Sequence, residues 1–119
     1  MNHVHTRLES SIEKSCIRRL RNELGYETMK LNGPGKRSEP DRMVLLLRGQ
    51  VCFIEFKRPG QQATLKQAAR LNQLRALGYV AGVAHDWDEC LALVQESRGM
   101  QLIRPALAFQ PRLNDHVGD

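Results

Sequence analysis

Between residues 6 and 24 apolar side chains return at every fourth position: Leu8, Ile12, Cys16, Leu20 and Leu24, with Ile17 widening the stripe. That period predicts an amphipathic helix over 6–24. Gly25 follows at a helix C-cap position. The pattern then shortens to strand-like runs at 26–31, 42–47 and 51–57. The loop "NGPGKRSEP" separates the first two and a tight "RGQ" turn the second pair. The run "MVLLL" is almost unbroken, which predicts a strand covered on both faces. A second helix is expected over 65–77, opened by a capping box of Thr64 and Gln67 and closed by Gly78. A fourth strand follows over 79–85, and a last helix over 88–96 with Asp86 or Asp88 as its cap. Beyond Arg98 "LIRPALAF" suits either a further strand or a docking arm.

The order is α-β-β-β-α-β-α. A strand, helix and strand from 51 to 84 make a crossover, which calls for parallel strands, whereas the hairpin before it is antiparallel. The expected fold is α/β, a mixed central sheet flanked by helices. With 119 residues the chain has the length of one domain, 1–119, with a tail of unassigned structure over 99–119. Hydrophobic residues at 41% and charged residues at 26% fit a globular chain. No run of roughly 18 apolar residues predicts a membrane span.

Charge changes the picture. The formal net charge is +5, which favours a polyanionic partner, nucleic acid first. Cys16, Cys52 and Cys90 have no metal-ligand spacing. With no signal peptide in view, they read as reduced core residues of a cytoplasmic protein. His3, His5, His85 and His116 also lack ligand spacing. Trp87 reads as a packing residue, because no aromatic cluster accompanies it. Arg18, Arg19 and Arg21 suit the negative end of the first helix. A phosphate-contacting face is the alternative reading.

The stretch 39–60 is the most informative. Asp41 opens an apolar strand, and Glu55 and Lys57 lie inside the next one. Charges are costly to bury without partners. Two residues apart on a strand, Glu55 and Lys57 share a face, roughly 6–7 Å apart, while Ile54 and Phe56 face the main core. The hairpin brings Asp41 towards Glu55. Adjacent carboxylates raise each other's pKa unless a cation intervenes. A hard divalent ion such as Mg2+ suits a few oxygens and retained waters. These residue types match metal-assisted phosphodiester hydrolysis. A structural ion pair of Glu55 with Lys57 or Arg42 is the plainer alternative.

Pro40-Asp41 followed by "EFK" resembles the PD-(D/E)XK nuclease motif. The ordered set over 13–94 resembles more narrowly the VRR-NUC branch: a first helix, Pro-Asp, E-x-K-x-P-G, a helical Gln, and L-x-x-x-G before a strand. Small stand-alone members occur in phages and bacteria, and the same domain ends the larger Fanconi-associated nuclease. The resemblance implies a restriction-endonuclease-like fold and an Mg2+- or Mn2+-dependent endodeoxyribonuclease. Asp41, Glu55 and the backbone carbonyl of Phe56 would hold the metal. Glu13, from the helix "IEKSCIRRLRNELG", would join them through water, with Glu9 one turn earlier as the reserve. Lys57 would be the catalytic lysine and Gln67 the helical glutamine beside it. Lys36, Arg37, Arg18 and Arg58 are candidates for gripping DNA. Branched DNA such as a Holliday junction is the substrate implied, cut by a homodimer. Glu39, just before Pro40, departs from the usual small or apolar residues there; it either tunes the metal site or faces solvent. The competing expectation is a nucleic-acid-binding module that keeps the fold without hydrolysis.

Overall fold

The computed structural model describes the backbone of residues 2–103 and the side chains of residues 8–99. Helix α1 spans Asn2–Leu24, β1 Glu27–Lys30, β2 Arg42–Leu45, β3 Val51–Phe56, α2 Leu65–Ala76, β4 Val80–Ala84 and α3 Trp87–Ile103. The sheet order is β1-β2-β3-β4; the first two pairings are antiparallel and β3–β4 is parallel. The α/β order and mixed sheet expected from periodicity are therefore present. Helix α3 runs past the expected end at Glu96, because buried Ser97 packs onto β3 and its hydroxyl donates to the Val51 carbonyl at 3.4 Å. Leu102 and Ile103 thus belong to a helix and not to a strand or arm. The remainder of the tail, including His116, lies outside the described residues, as do the side chains of His3 and His5.

The alternation of β3 divides the core. Cys52, Ile54 and Phe56 face α1 and α3, where Cys16, Leu20, Cys90 and Val94 complete a buried cluster. All three cysteines are free and buried, so they fill core volume as expected. Trp87 packs against this cluster, with Arg19 stacked 4.3 Å over its ring. Gly82 of β4 lets α3 come close: a Cβ there would meet Leu93 Cδ2 at 2.8 Å. On the opposite face Leu71 and Leu74 of α2 cover Ala81, with Phe53 and Val83 alongside. That helix makes the crossover and therefore lies over β3 and β4. The expectation that "MVLLL" is covered on both faces is corrected accordingly. Val44 is buried, but Leu45 and Leu47 are exposed, because none of the described elements caps that side of β2.

Helix α2 begins as its sequence dictates. Thr64 Oγ1 accepts from the Gln67 N–H at 3.2 Å, and Gln67 Oε1 accepts from the Thr64 N–H at 2.9 Å. Thr64→Ala is expected to cost about 1 kcal/mol, the usual worth of an N-cap, read by urea denaturation. Helix α3 is capped by Asp86, whose carboxylate accepts from the Glu89 N–H at 2.9 Å. His85 ties this end to the loop before α2: one ring nitrogen lies 2.7 Å from Glu89 Oε1 and the other 2.7 Å from the Gln61 carbonyl. The Gln61 carbonyl and the Glu89 carboxylate hold its pKa above the usual histidine value. It is a structural residue.

Candidate active site

The register settles what periodicity left open. Arg42 is paired with Ile54, so one step further along the antiparallel ladder Asp41 stands across from Glu55. Asp41 is fixed on three sides. Its carbonyl accepts from the Leu31 N–H at 3.0 Å. Its carboxylate accepts from the Phe56 N–H at 2.7 Å and from the Asn32 side-chain amide. A side-chain oxygen thus replaces a ladder carbonyl at the end of β2, which holds the carboxylate rigidly.

Glu55 is 3% exposed. Its Oε2 accepts from Gln67 Nε2 at 3.0 Å and lies 3.8 Å from Lys57 Nζ. Its Oε1 is buried without a hydrogen-bond partner. Gln67 therefore does two jobs at once: one end of its amide closes the capping box, the other holds Glu55. The plain ion pair expected between Glu55 and Lys57 exists, but 3.8 Å is too long for a hydrogen bond.

These carboxylates are short of positive charge. Burial, then the neighbouring Asp41 charge, push the Glu55 pKa up to about 8, against the pull of Lys57. Burial also raises the Asp41 pKa, opposed by the Phe56 N–H. Glu13 adds to both shifts, and Glu9 to that of Glu55, so these two glutamates of α1 lie within electrostatic reach. Glu13 itself is held by Arg42, 2.7 Å from Nε to Oε2, with Lys30 Nζ at 3.9 Å. Arg42 thus pairs with Glu13 and not with Glu55.

The donor set fits a hard divalent cation in one decisive respect. A buried carboxylate oxygen with no proton donor, beside a second carboxylate, lacks the counter-charge that such an ion supplies. Asp41 and Glu55 would be its ligands, and the Phe56 carbonyl lies in the peptide that joins Phe56 to Lys57. Among the described residues no three His, Cys, Asp or Glu side chains close around a common point. Water and the carbonyl would have to complete the shell.

The remaining candidates divide. Lys36 and Arg37 are exposed on the loop that leads to Asp41. Arg58 is half-buried and donates to Gln61 at 2.9 Å. Arg18 lies about 140° around α1 from Glu13 by helical geometry, so it faces away from the cluster and is exposed. Glu39 neither joins the carboxylates nor stands free: it pairs with Arg70 of α2 at 2.9 Å. Sequence reasoning missed Asn32, Lys30 and Arg70, and missed Arg42 as the partner of Glu13. For Lys30, Asn32 and Arg42 the signal is the β1–β2 register, which pairs Lys30 with Arg42 and carries Asn32 towards Asp41; Arg70 lies on α2 and has no local signal.

No family model matches the chain. It is 39% identical over 71 residues to "Putative nuclease p44" of Acyrthosiphon pisum secondary endosymbiont phage 1, which covers 60% of this chain and 75% of that protein. A solved structure described as "VRR_NUC domain" superposes with a TM-score of 0.64 at 25% identity, over 74% of this chain and 95% of its own. A second, "VRR_NUC domain protein", gives 0.61 at 23% identity over 73% and 84%, and shows the fold alone. Shared sequence with a phage nuclease, shared topology, and Asp41, Glu55 and Lys57 brought to one end of β2 and β3 lead to one conclusion: the chain belongs to the VRR-NUC nuclease family.

Proposed function

We propose that the protein is an Mg2+- or Mn2+-dependent endodeoxyribonuclease acting on branched DNA such as a Holliday junction. The observation that carries this reading is the buried pair of Asp41 and Glu55, with Glu55 Oε1 unpartnered and Lys57 Nζ 3.8 Å from its other oxygen. Bound between the carboxylates, a divalent cation would supply positive charge to a phosphoryl oxygen and acidify a water. The chain's own groups do the rest. The Phe56 N–H and Asn32 hold Asp41 in place, and Gln67 holds one Glu55 oxygen so that the other stays open. Lys57 is 9% exposed, so its ammonium acts where water screens it little. It can meet negative charge that grows on the phosphate as the bond breaks. No module for reading base edges is present among the described elements, which supports choice of substrate by shape.

One chain carries one such centre, and cutting a four-way junction symmetrically requires two, which supports a homodimer. Among the described residues no helix is long and apolar enough to cross a membrane. The free thiols and the phage relative support a place in the cytoplasm of a bacterial cell, with a phage gene as the source.

The test is cleavage of labelled four-way junction, flap and linear duplex in Mg2+, Mn2+ or EDTA, with sedimentation of the same protein. Branched substrates are expected to be nicked only with metal, and Asp41→Asn is expected to abolish the nicks. Cleavage undiminished in a folded Asp41→Asn protein would sink the assignment. A second reading, a nucleic-acid-binding module without hydrolysis, is favoured by the absence of a three-ligand cluster among the described residues. It predicts junction binding with no product in either metal.

A further inference from the structure

We infer that a hollow beside Asp41 is a subsite for one phosphate of the DNA strand, a neighbour of the phosphate being cut, held by Lys30, Asn32 and Arg37. The inference rests on DNA being the substrate. The hollow has a volume of about 440 Å3 and is lined by Lys30, Asn32, Gly33, Pro34 and Arg37. Its wall is shared with the active site through Asn32, whose amide donates to Asp41. A side-chain amide has two protons, so that bond leaves one for a ligand. Neither Glu55 nor Lys57 lines the hollow. The phosphate it takes is therefore not the one those residues act on.

The local charge points to an anion. Lys30 and Arg42 are cross-strand partners on the same sheet face. Like charges directly opposite each other are destabilising. One carboxylate answers both: Glu13 lies 2.7 Å from Arg42 but 3.9 Å from Lys30. The Lys30 side chain is 58% exposed and loosely held. Arg37 is exposed, with no carboxylate within ion-pair distance among the described residues. Two cations are thus aimed at one hollow with less than one carboxylate between them. Gly33 presents no side chain, so a sugar-phosphate backbone can approach the loop closely. Asn32 and the two cations match a phosphodiester: a neutral donor and two charged donors around oxygens that carry one negative charge.

The experiment is binding of a labelled four-way junction in EDTA, followed by fluorescence anisotropy between 50 and 200 mM salt on the full chain. For Lys30→Ala/Arg37→Ala the slope of log K against log salt is expected to fall in magnitude by about 1, the loss of one neutralised phosphate. Junctions with single neutral methylphosphonate linkages then locate it. One linkage is expected to weaken wild-type binding while leaving the double variant unaffected. Lys30→Gln/Arg37→Gln, which keeps side-chain bulk, should behave alike. An unchanged slope, or a double variant as sensitive as wild type at every linkage, overturns the subsite. Junction cleavage in metal with the slope unchanged overturns the subsite alone. The slope change without cleavage supports the subsite and overturns the hydrolytic reading.

Discussion

Lys57→Ala is expected to lower the single-turnover rate of junction cleavage by about 10^2- to 10^3-fold, the range for removing one preorganised donor from a transition state. The argument is positional. Lys57 follows Glu55 by two residues, one past the end of β3, where its N–H still donates to the Ala84 carbonyl, so the strand alternation puts both side chains on the same face, that of Asp41. The ammonium is buried 3.8 Å from Glu55 Oε2, and among the described residues no carboxylate holds it by a hydrogen bond. A group so placed adds little to ground-state binding but answers charge that builds during the reaction. Junction affinity in EDTA should therefore stay within about threefold of wild type, because phosphate contacts elsewhere set it. A rate unchanged by the substitution, in protein shown to be folded, would remove Lys57 from the chemistry. An equal loss in rate and affinity would make it a binding residue.

Without divalent cation, Glu55→Gln is expected to make the protein more stable at pH 8 and to flatten its pH dependence. Burial and the Asp41 charge raise the Glu55 pKa from 4.5 to about 8. A folded-state pKa above the unfolded one means that the native protein holds the proton more tightly. Stability from this group is full below about pH 4.5 and is lost as pH rises towards 8. At 1.36 kcal/mol per pH unit the loss has an upper limit of about 5 kcal/mol. Glutamine keeps the shape and still meets Gln67, but carries no charge to bury. His85 works in the same direction, since its raised pKa also means stability lost as pH rises through it. A residual slope should therefore survive in the variant. The check is thermal unfolding in EDTA from pH 5 to 8.5 for both proteins. A wild-type melting temperature that rises across that range would contradict the buried, charge-poor environment described for Glu55.

Helix α1, the capping box of α2 and the crossover β3–α2–β4 are legible in the sequence because each rests on local period and cap chemistry. Glu55 and Lys57 share a face for the same reason: alternation along a strand is a backbone property. The resemblance to a nuclease motif likewise needed only residues in order. The covered or open state of β2 was not legible, since "MVLLL" reads the same whether or not a helix lies over it. Coverage depends on where the crossover lands, and α2 lands on β3 and β4.

Glu39 shows a second limit. Its charge was visible, but its partner Arg70 lies on another element, and no period links them. Arg42 behaves likewise, finding Glu13 across the space between β2 and α1.

By itself, then, the amino-acid order determined the elements, their polarity and the side chains that could do chemistry, because these follow from interactions a few residues apart. Only the tertiary structure decided which charges meet. It set Asp41 across from Glu55, gave Glu13 to Arg42 and left one Glu55 oxygen unpartnered. The physical reason is that strand register and helix docking are fixed by the packing of the whole core, and a shift of one residue would turn each of these groups to the other face.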